Sequence, residues 1–286
     1  MNDRGLPANS VASVRQYIRV MLASFGEREC DQIVTSLFRH IMGWSKADLI
    51  MRIHDRLSES EILSLHKMAV KIRDGMPLQY AMGTAYFMGR EFRVDPRVLI
   101  PRPETEELVQ LVLDTLGHEK KSVLDIGTGS GCIAISLKLE RENWSVDAVD
   151  ISSQALELAS SNAHRLGAKV DFSALDILTV DPGKSYDSII SNPPYIASSE
   201  SGEMQPNVLD YEPHLALFVP DNDPLVFYRR IAETGTRWLN PGGFIFVECN
   251  ERLASETADI FRRNYTDVRV LHDLQERPRM VFARLG

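Results

Sequence analysis

Residues 123–137 read VLDIGTGSGCIAISL, in which a short apolar run is followed by three glycines at alternate positions and then by a second apolar stretch. The run that ends at Ile126 has the length and composition of a buried β-strand, and the stretch after the glycines is typical of a helix. Glycines at a strand-to-helix turn allow a tight turn and let a ligand lie against the backbone without a Cβ in the way. The stretch therefore predicts a ligand-binding turn in an α/β domain.

From residue 122 onward the chain alternates between strand-like and helix-like patterns. Apolar, β-like runs occur at 122–126, 145–149, 169–173, 186–191 and 243–249, and helical stretches such as 130–141 and 153–166 separate them. This order predicts a doubly wound, Rossmann-like α/β fold with a mostly parallel sheet. Two further runs, 267–271 and 279–285, are joined by a short turn and predict an antiparallel hairpin at one edge of the sheet.

The chain before this region has apolar side chains at helical spacing from residue 8 to residue 75. The sequences Ser45-x-x-Asp48 and Ser58-x-x-Glu61 are capping-box signatures, and Gly75 before Pro77 is a natural helix stop. Four or five helices are expected.

Three domains are predicted from these changes of pattern. A small all-helical domain is expected over 1–83, a β-hairpin linker that turns near Gly89 over 84–100, and the α/β domain over 101–286.

The composition limits the classes of function. The chain has 286 residues, of which 44% are apolar and 25% charged, as in ordinary globular proteins. A net charge of −8 argues against a bare nucleic-acid backbone as the main partner, because phosphate contacts need clustered Lys and Arg. No apolar run reaches the roughly 18 to 20 residues that span a bilayer, so we expect a cytoplasmic protein with no membrane partner and no direct nucleic-acid binding. The seven histidines and three cysteines have no metal-ligand spacing, so we predict no metal site and packed, reduced thiols.

The spacing of the glycines bears on the cofactor. Dinucleotide-binding folds typically carry G-x-G-x-x-G, with a pyrophosphate at the helix N-terminus. Here the pattern is G-x-G-x-G after Asp125, which resembles the loop of class I S-adenosylmethionine (SAM)-dependent methyltransferases. The resemblance implies SAM as cofactor, S-adenosylhomocysteine as its product, and the cofactor-binding residues Gly127, Thr128, Gly129, Ser130 and Gly131.

Acidic residues follow two later strands. Asp150 ends the second strand, where a carboxylate can accept hydrogen bonds from both ribose hydroxyls; a helix N-cap is the alternative, although Ser152 or Ser153 could fill that role. Asp176 and Ile177 occupy the turn at which the methyltransferase superfamily contacts adenine, and a plain loop position is the alternative there. We take Asp150, Asp176 and Ile177 as candidate cofactor-binding residues.

The sequence Asn192-Pro193-Pro194-Tyr195 follows directly on the strand predicted at 186–191. A residue before proline is driven into extended conformations, so the segment is stiff before any ligand binds. Because neither proline has an N–H, the segment cannot continue a strand ladder, and its carbonyl oxygens can stay free to accept. The Pro193 carbonyl and the Asn192 side-chain oxygen form a rigid acceptor pair that matches the two donors of a planar NH₂ group. Tyr195 is expected to pack on that group.

A planar amide or aromatic amine is a poor nucleophile, because its lone pair is delocalised. As a methyl group transfers, the nitrogen becomes tetrahedral and partly positive, so its N–H groups donate more strongly. Hydrogen bonds to Asn192 and Pro193 then strengthen toward the transition state, which is what catalysis requires. We therefore predict that Asn192, Pro193 and Tyr195 are catalytic, and that Asn192, Pro193, Pro194 and Tyr195 bind the substrate.

Asn-Pro-Pro-Tyr after a SAM-type loop resembles two groups of enzymes. One methylates amino groups of adenine or guanine in nucleic acids, and the other, the HemK/PrmC family, methylates a glutamine in a protein. The flanking motifs favour the second group. In order, they are PLQY at 77–80, LIPRPETEELV at 99–109, DIGTGSGCIAISL at 125–137, NPPYI at 192–196, YEPHLAL at 211–217, FYRRI at 227–231 and LNPGG at 239–243.

The resemblance to HemK/PrmC covers about residues 45–286. It implies methylation of the glutamine side-chain nitrogen in the Gly-Gly-Gln motif of class-1 peptide chain release factors, with Asn192 also contacting SAM and the helical domain docking the protein substrate. Arg102, Glu104 and Glu106 of PRPETE would line or brace the pocket; a solvated salt-bridge cluster is the alternative. Where relatives usually have an acidic-Ile-Gly strand end, this chain has Glu248-Cys249-Asn250.

Overall fold

The computed structural model describes residues 8–286, which form two compact units. The helical unit contains the described residues up to Gly83 together with Pro206–Tyr211, and the sheet unit contains Thr84–Gln205 and Glu212–Gly286. The first seven residues of the domain expected over 1–83 lie outside the described residues.

The helical unit is built as the spacing of its apolar residues predicts. Its helices are α1 Val11–Met21, α2 Glu27–Met42, α3 Lys46–Met51, α4 Glu59–Arg73, α5 Leu78–Met82 and α9 Pro206–Tyr211. Both capping boxes are confirmed, because the Ser45 and Ser58 hydroxyls accept from backbone N–H groups three residues on, at 3.1 and 3.3 Å. The carboxylates of Asp48 and Glu61 accept from the two serine N–H groups in return.

The inward faces of these helices form one apolar core. Ile18 of α1, Leu37 and Phe38 of α2 and Leu65 of α4 are fully buried in it. Each such side chain contributes about 1.5–3 kcal/mol relative to exposure, so the unit is held mainly by helix-to-helix packing.

The sheet unit carries the strands of the fold. They are β1 Thr84–Phe87, β2 Arg90–Arg93, β3 Ser122–Ile126, β4 Ser145–Asp150, β5 Asp171–Ala174, β6 Tyr186–Ser191, β7 Ile196–Ala197, β8 Phe218–Val219, β9 Leu239–Glu248, β10 Asp267–His272 and β11 Pro278–Arg284. Its helices are α6 Pro103–Leu116, α7 Cys132–Glu140, α8 Ser153–Leu166, α10 His214–Leu217, α11 Val226–Trp238 and α12 Ala254–Arg262. Short 3₁₀ turns cover Ser198–Glu203 and Glu251–Leu253.

Seven of these strands form one sheet in the order β10-β11-β9-β6-β3-β4-β5. Strands β9, β6, β3, β4 and β5 run parallel, and β11 is antiparallel to both of its neighbours. The predicted Rossmann-like, mostly parallel sheet with an antiparallel hairpin at its edge is therefore confirmed.

Both faces of the sheet are covered, which explains why its central strands read as continuous apolar runs. Successive strand residues point to opposite faces, so Val123 packs into one core and Leu124 into the other. Ile190 and Ile189 of β6 divide in the same way.

The order of the strands places a crevice beside β3. The chain runs from β3 to β4 and β5 on one side, then returns to β6 and β9 on the other side. Loops at the carboxyl ends of β3 and β6 therefore leave in opposite directions, and open α/β sheets bind their ligands at such a switch point.

The hairpin of β1 and β2 is attached to the sheet unit by hydrogen bonds. Its turn is formed by Met88 and Gly89, both at positive φ, and the Met88 N–H donates to Glu106 Oε1 at 2.8 Å. The Asn162 side chain of α8 accepts from the Arg93 N–H and donates to the Arg93 carbonyl, at 2.8 and 3.0 Å.

The segment 196–222 shows no hydrophobic periodicity in the sequence. Its helices and strands are too short to produce such a pattern. Strands β7 and β8 pair in parallel, and two short helices lie between them in the chain. One of these, α9, belongs to the helical unit.

Candidate active site

A cavity of about 540 Å³ lies at the carboxyl ends of the parallel strands in the sheet unit. Loops after β3, β4, β5 and β6 form most of its wall, together with residues 96–99 and with Pro213, Leu215 and Ala216. Most of the predicted site residues therefore converge on one place, although they are spread over some seventy positions of the chain.

The five residues of the glycine loop do not share one environment. Gly127 and Gly129 line the cavity, and a Cβ on either would meet no atom within 4 Å. Thr128, Ser130 and Gly131 are buried and do not line it. At Gly131 a Cβ would lie 2.7 Å from Ile135 Cδ1 and 3.1 Å from Ala159 Cβ. Gly131 therefore allows α7 and α8 to pack closely, whereas Gly127 and Gly129 offer their backbone to a ligand.

Asp125 fixes this loop from beneath. Its carboxylate is 1% exposed, and Oδ2 accepts from Thr128 Oγ1 at 2.7 Å and from the Ala134 N–H at 3.2 Å. Burial raises the pKa of Asp125 to about 7, and the nearby charge of Asp150 adds to that rise.

Asp150 faces the cavity and holds the loop from the side. Its Oδ2 accepts from the Gly129 N–H and its Oδ1 from the Ser152 N–H, both at 2.9 Å. The N-cap of α8 is Ser152, whose hydroxyl accepts from the Ala155 N–H. A carboxylate has about four acceptor positions, so Asp150 keeps capacity for two ligand hydroxyls. Burial raises its pKa, against the effect of these hydrogen bonds.

Asp176 and Ile177 also line the cavity. The Asp176 carboxylate accepts from the Leu178 N–H and from Thr179 Oγ1, so it shapes its own turn. Ile177 is buried, and its carbonyl accepts from Arg230 Nε at 2.8 Å. Arg230 of the FYRRI motif thus holds this wall in place.

Asn192 and Pro193 lie on the cavity wall and keep two acceptors unused. The Asn192 amide donates through Nδ2 to Thr105 Oγ1 at 3.1 Å. Among the hydrogen bonds of the described residues, none is accepted by Asn192 Oδ1 or by the Pro193 carbonyl. Pro194 also lines the cavity.

Behind Asn192 lies a buried carboxylate that the sequence reading treats only as a departure from relatives. Glu248, the last residue of β9, is 1% exposed, and its Oε2 accepts from Thr105 Oγ1 at 2.6 Å. The Tyr195 hydroxyl lies 3.4 Å from Glu248 Oε1. Tyr195 is half-buried and does not line the cavity. Burial raises the pKa of Glu248 to about 7 and raises that of Tyr195.

Arg102 and Glu106 of PRPETE make hydrogen bonds to neighbouring segments, and Arg102, Glu104 and Glu106 are not among the cavity-lining residues. The Arg102 guanidinium donates at 2.6 Å to Glu212, which is buried and also accepts from the Ile100 N–H at 3.3 Å. Glu106 accepts from the hairpin turn, as described above. Thr105, which the sequence reading passes over, is the residue of this motif that reaches Asn192 and Glu248. The sequence offers one sign of this position: Thr105 falls in the first turn of a helix that begins at Pro103.

The chemistry of the lining fits a nucleoside cofactor without phosphates. Arg97 is the only cationic residue in the described part of the wall, and its guanidinium donates to Asp95 at 2.9 and 2.8 Å. The site offers a carboxylate for ribose hydroxyls and the aliphatic side chains of Val149, Ile151 and Ile177 for a planar base. Among the side chains that the structure describes, no group of three His, Cys, Asp or Glu residues is arranged to hold a metal ion. The three cysteines are free and buried, as expected.

Two family models match the chain. One, described as a PrmC N-terminal domain, matches residues 13–83, and the other, a methyltransferase small domain, matches residues 104–209.

Two curated relatives are both named release factor glutamine methyltransferase. The protein from Bacteroides thetaiotaomicron is 46% identical over 246 residues, which cover 85% of this chain and 88% of the relative. The protein from Flavobacterium psychrophilum is 37% identical over 272 residues, which cover 93% and 95%. Among solved structures, a methyltransferase from Pyrococcus furiosus superposes with a TM-score of 0.52 at 18% identity, over 80% of this chain and all of the other, which shows a shared fold.

We expect Gly131→Ala to destabilise the protein more than Gly167→Ala. Both glycines have positive φ, 81° and 76°, but a Cβ at Gly167 meets no atom within 4 Å. The positive φ costs about 1–2 kcal/mol in each case, and overpacking at Gly131 adds about 1–3 kcal/mol. Urea unfolding followed by circular dichroism measures the difference. Equal losses in the two variants would contradict the packing role of Gly131.

Proposed function

We propose the reaction at this site from one premise: this chain belongs to the family of release factor glutamine methyltransferases. The enzyme transfers a methyl group from SAM to the side-chain amide nitrogen of a release factor glutamine, and we assign that glutamine to the Gly-Gly-Gln motif of class-1 factors. The observation that carries the assignment is the pair of unused acceptors, Asn192 Oδ1 and the Pro193 carbonyl, on the cavity wall.

We assign the cofactor to the cavity described above. Gly127 and Gly129 would lie against its amino-acid portion, Asp150 would accept from the ribose hydroxyls, and Ile177 and Asp176 would flank the adenine. SAM, when bound, supplies a methyl group on a positively charged sulfur. Asn192 lies on the same cavity wall, where we expect it to contact both SAM and the substrate amide.

The acceptor pair acts on the substrate amide. An amide NH₂ carries two donors in one plane, and Asn192 and Pro193 supply one acceptor for each. As the nitrogen gains a bond and positive charge, both hydrogen bonds strengthen, so the pair stabilises the transition state more than the ground state. The cationic nitrogen then loses a proton to solvent.

The magnitudes indicate how the site accelerates the reaction. Neutral hydrogen bonds contribute about 1 kcal/mol net each, whereas ordering the reactants can supply roughly 7–11 kcal/mol. The main task of the stiff Asn-Pro-Pro segment is therefore to orient the amide. Tyr195 lies behind the wall, with its hydroxyl 3.4 Å from Glu248 Oε1.

An exocyclic amine of adenine or guanine would satisfy the same two acceptors, so the partner decides between the two reactions. The net charge of −8 and the single, paired arginine of the described wall favour a protein substrate. Within residues 8–286 no helix combines the length and apolar content needed to span a membrane. Because release factors act on ribosomes, we place the enzyme in the cytoplasm and expect no direct nucleic-acid binding.

Purified enzyme with methyl-labelled SAM should label a class-1 release factor and leave its Gly-Gly-Gln Gln→Ala variant unlabelled. Duplex DNA and ribosomal RNA serve as competing acceptors in parallel reactions. Label in nucleic acid and none in release factor would overturn the proposed function.

Asn192→Ala should lower kcat at least about a hundredfold, as for loss of a preorganised hydrogen-bonding group, with the SAM dissociation constant within about tenfold. Asp150→Ala is the matched comparison: it should raise the SAM dissociation constant at least about tenfold through lost ribose contacts. Calorimetric SAM titration and single-turnover methylation separate the two effects. Normal turnover by Asn192→Ala would remove the acceptor role.

We propose that the helical unit docks the release factor. Support comes from its match to the PrmC N-terminal domain model and from Val20, Ile50 and Met51, which are 65%, 59% and 74% exposed. Ile50 and Met51 are adjacent in the chain, and adjacent exposed apolar side chains can form part of a protein-binding surface.

Ile50→Glu with Met51→Glu should raise KM for intact release factor at least about tenfold, because a buried charge at an interface costs a few kcal/mol. A short peptide that contains Gly-Gly-Gln is the control, since its turnover should not change. Unchanged KM for the intact factor would locate docking elsewhere.

A further inference from the structure

The hydrogen bonds behind Asn192 point to a function for two residues that the proposed chemistry does not use. We propose that Thr105 and Glu248 are positioning residues, which together fix the Asn192 amide with its oxygen toward the substrate. This inference rests on the proposed function, because it concerns the acceptor that Asn192 offers to an NH₂ group.

The orientation of this amide is critical and is not determined by its shape. The oxygen and NH₂ ends of an asparagine side chain are nearly the same size, so packing alone discriminates poorly between two flips. With Oδ1 toward the cavity, Asn192 accepts from the substrate. The opposite flip would set an NH₂ donor against the NH₂ donors of the substrate.

Thr105 can select the flip because a hydroxyl has one hydrogen and two lone pairs. A carboxylate only accepts, so Glu248 Oε2, at 2.6 Å, takes the hydrogen of Thr105 Oγ1. The oxygen of Thr105 must then accept from its other neighbour, which is Asn192 at 3.1 Å. Only the Nδ2 end of the amide can donate there, so Oδ1 is directed away from Thr105.

Burial makes this arrangement rigid. Thr105 is 3% and Glu248 1% exposed, so solvent has little access to the hydrogen bond between them. The residues come from the first turn of α6, the end of β9 and the segment after β6, and the Glu248 carbonyl accepts from Tyr228 Oη of α11 at 3.1 Å. The amide is therefore oriented before the substrate arrives.

The protonation state of Glu248 gives the arrangement a pH dependence. Groups that face Glu248 are Glu104 of α6, Arg279 of β11, Tyr195, Tyr228 and the adjacent Cys249. Arg279 and the hydrogen bond from Thr105 lower the pKa of Glu248, but burial outweighs them and raises it to about 7. Burial raises the pKa values of both tyrosines and of Cys249, to about 12 for the thiol, so these stay neutral near pH 7.

A protonated Glu248 could donate to Thr105, which would free the hydroxyl hydrogen to face Asn192 and permit the wrong flip. Because the pKa of Glu248 is raised, the carboxylate form exists above about pH 7 and is lost as the pH falls through that value. The arrangement is thus complete in the basic range and weakens in the acidic range.

The test compares Thr105→Val, which removes the hydroxyl at constant shape, with Thr105→Ser, which keeps it. We expect Thr105→Val to lower kcat at least about tenfold, a smaller effect than loss of the acceptor itself, with KM and SAM dissociation constant changed less than about threefold. Thr105→Ser should restore kcat to within about threefold of the original protein. Thr115→Val, an exposed position on the same helix whose hydroxyl donates to the Leu111 carbonyl, is the matched control and should not change kcat.

Glu248→Gln tests the polarity argument independently. Its NH₂ can donate to Thr105, so kcat above pH 7 should fall as in Thr105→Val. The ratio of kcat of the original protein to that of Glu248→Gln should shrink toward one as the pH falls through about 7. The ratio removes the contribution of Asp125, which has a similar pKa and is present in both proteins.

Thermal unfolding and SAM binding report whether each variant is folded. If Thr105→Val keeps its kcat, or if Thr105→Ser loses as much kcat as Thr105→Val while both bind SAM normally, the positioning role is wrong. If a Thr105 variant fails to bind SAM, the pH dependence of the kcat ratio measured with Glu248→Gln decides the positioning role instead. If the original protein methylates a nucleic-acid amine instead, the proposed function fails, and the same comparisons on that acceptor decide the role of Thr105.

Discussion

Buried carboxylates at the carboxyl ends of parallel strands must find hydrogen-bond donors, and this requirement shapes the site. A buried charge without partners costs several kcal/mol, so loops close around the buried Asp125 and Glu248 and around the partly buried Asp150. Asp125 and Asp150 recruit donors from the glycine loop. Glu248 recruits Thr105 from α6. The loops thereby gain fixed positions that their own residues would not give them.

The acceptors that remain after this pairing define the function. Pro193 and Pro194 bring no N–H groups to the end of β6, and the carbonyl of Pro193 stays unpaired among the described residues. Asn192 gives its NH₂ to Thr105 and keeps its oxygen. Asp150 is used in the same two ways. Each of its oxygens accepts one hydrogen bond from a backbone N–H, and its other acceptor positions stay available to a ligand. Structure and ligand binding thus share the same polar groups.

The sequence predicts those parts of the site that depend on neighbours along the chain. The run from Val123 to Gly131 specifies a strand, a turn and a helix, and the prolines after Asn192 specify a stiff strand end, because each effect is local. Asp150 stands at the end of a strand for the same reason. Strand positions and the antiparallel edge are confirmed because apolar runs of this length, flanked by turns, have few alternatives.

The relation between Thr105 and Glu248 could not be predicted, because the two residues are 143 positions apart. Their contact depends on the packing of α6 against β9, which is a property of the tertiary structure and not of either local sequence. The three glycines present the converse case. They look equivalent in the chain, and only the packing of α7 against α8 shows that Gly131 differs from Gly127 and Gly129.

The choice of an amide at position 192 follows from the same electrostatics. A carboxylate there would accept more strongly from a developing positive charge. It would also stand next to the hydroxyl that already serves Glu248, and two carboxylates that share one donor repel each other and raise each other's pKa. One of them would then be protonated near neutral pH, and its new O–H would point a donor at Thr105 or at the substrate. An amide has no charge to lose, so asparagine keeps a constant acceptor although the pKa values of the buried Asp125 and Glu248 behind the wall are raised to about 7.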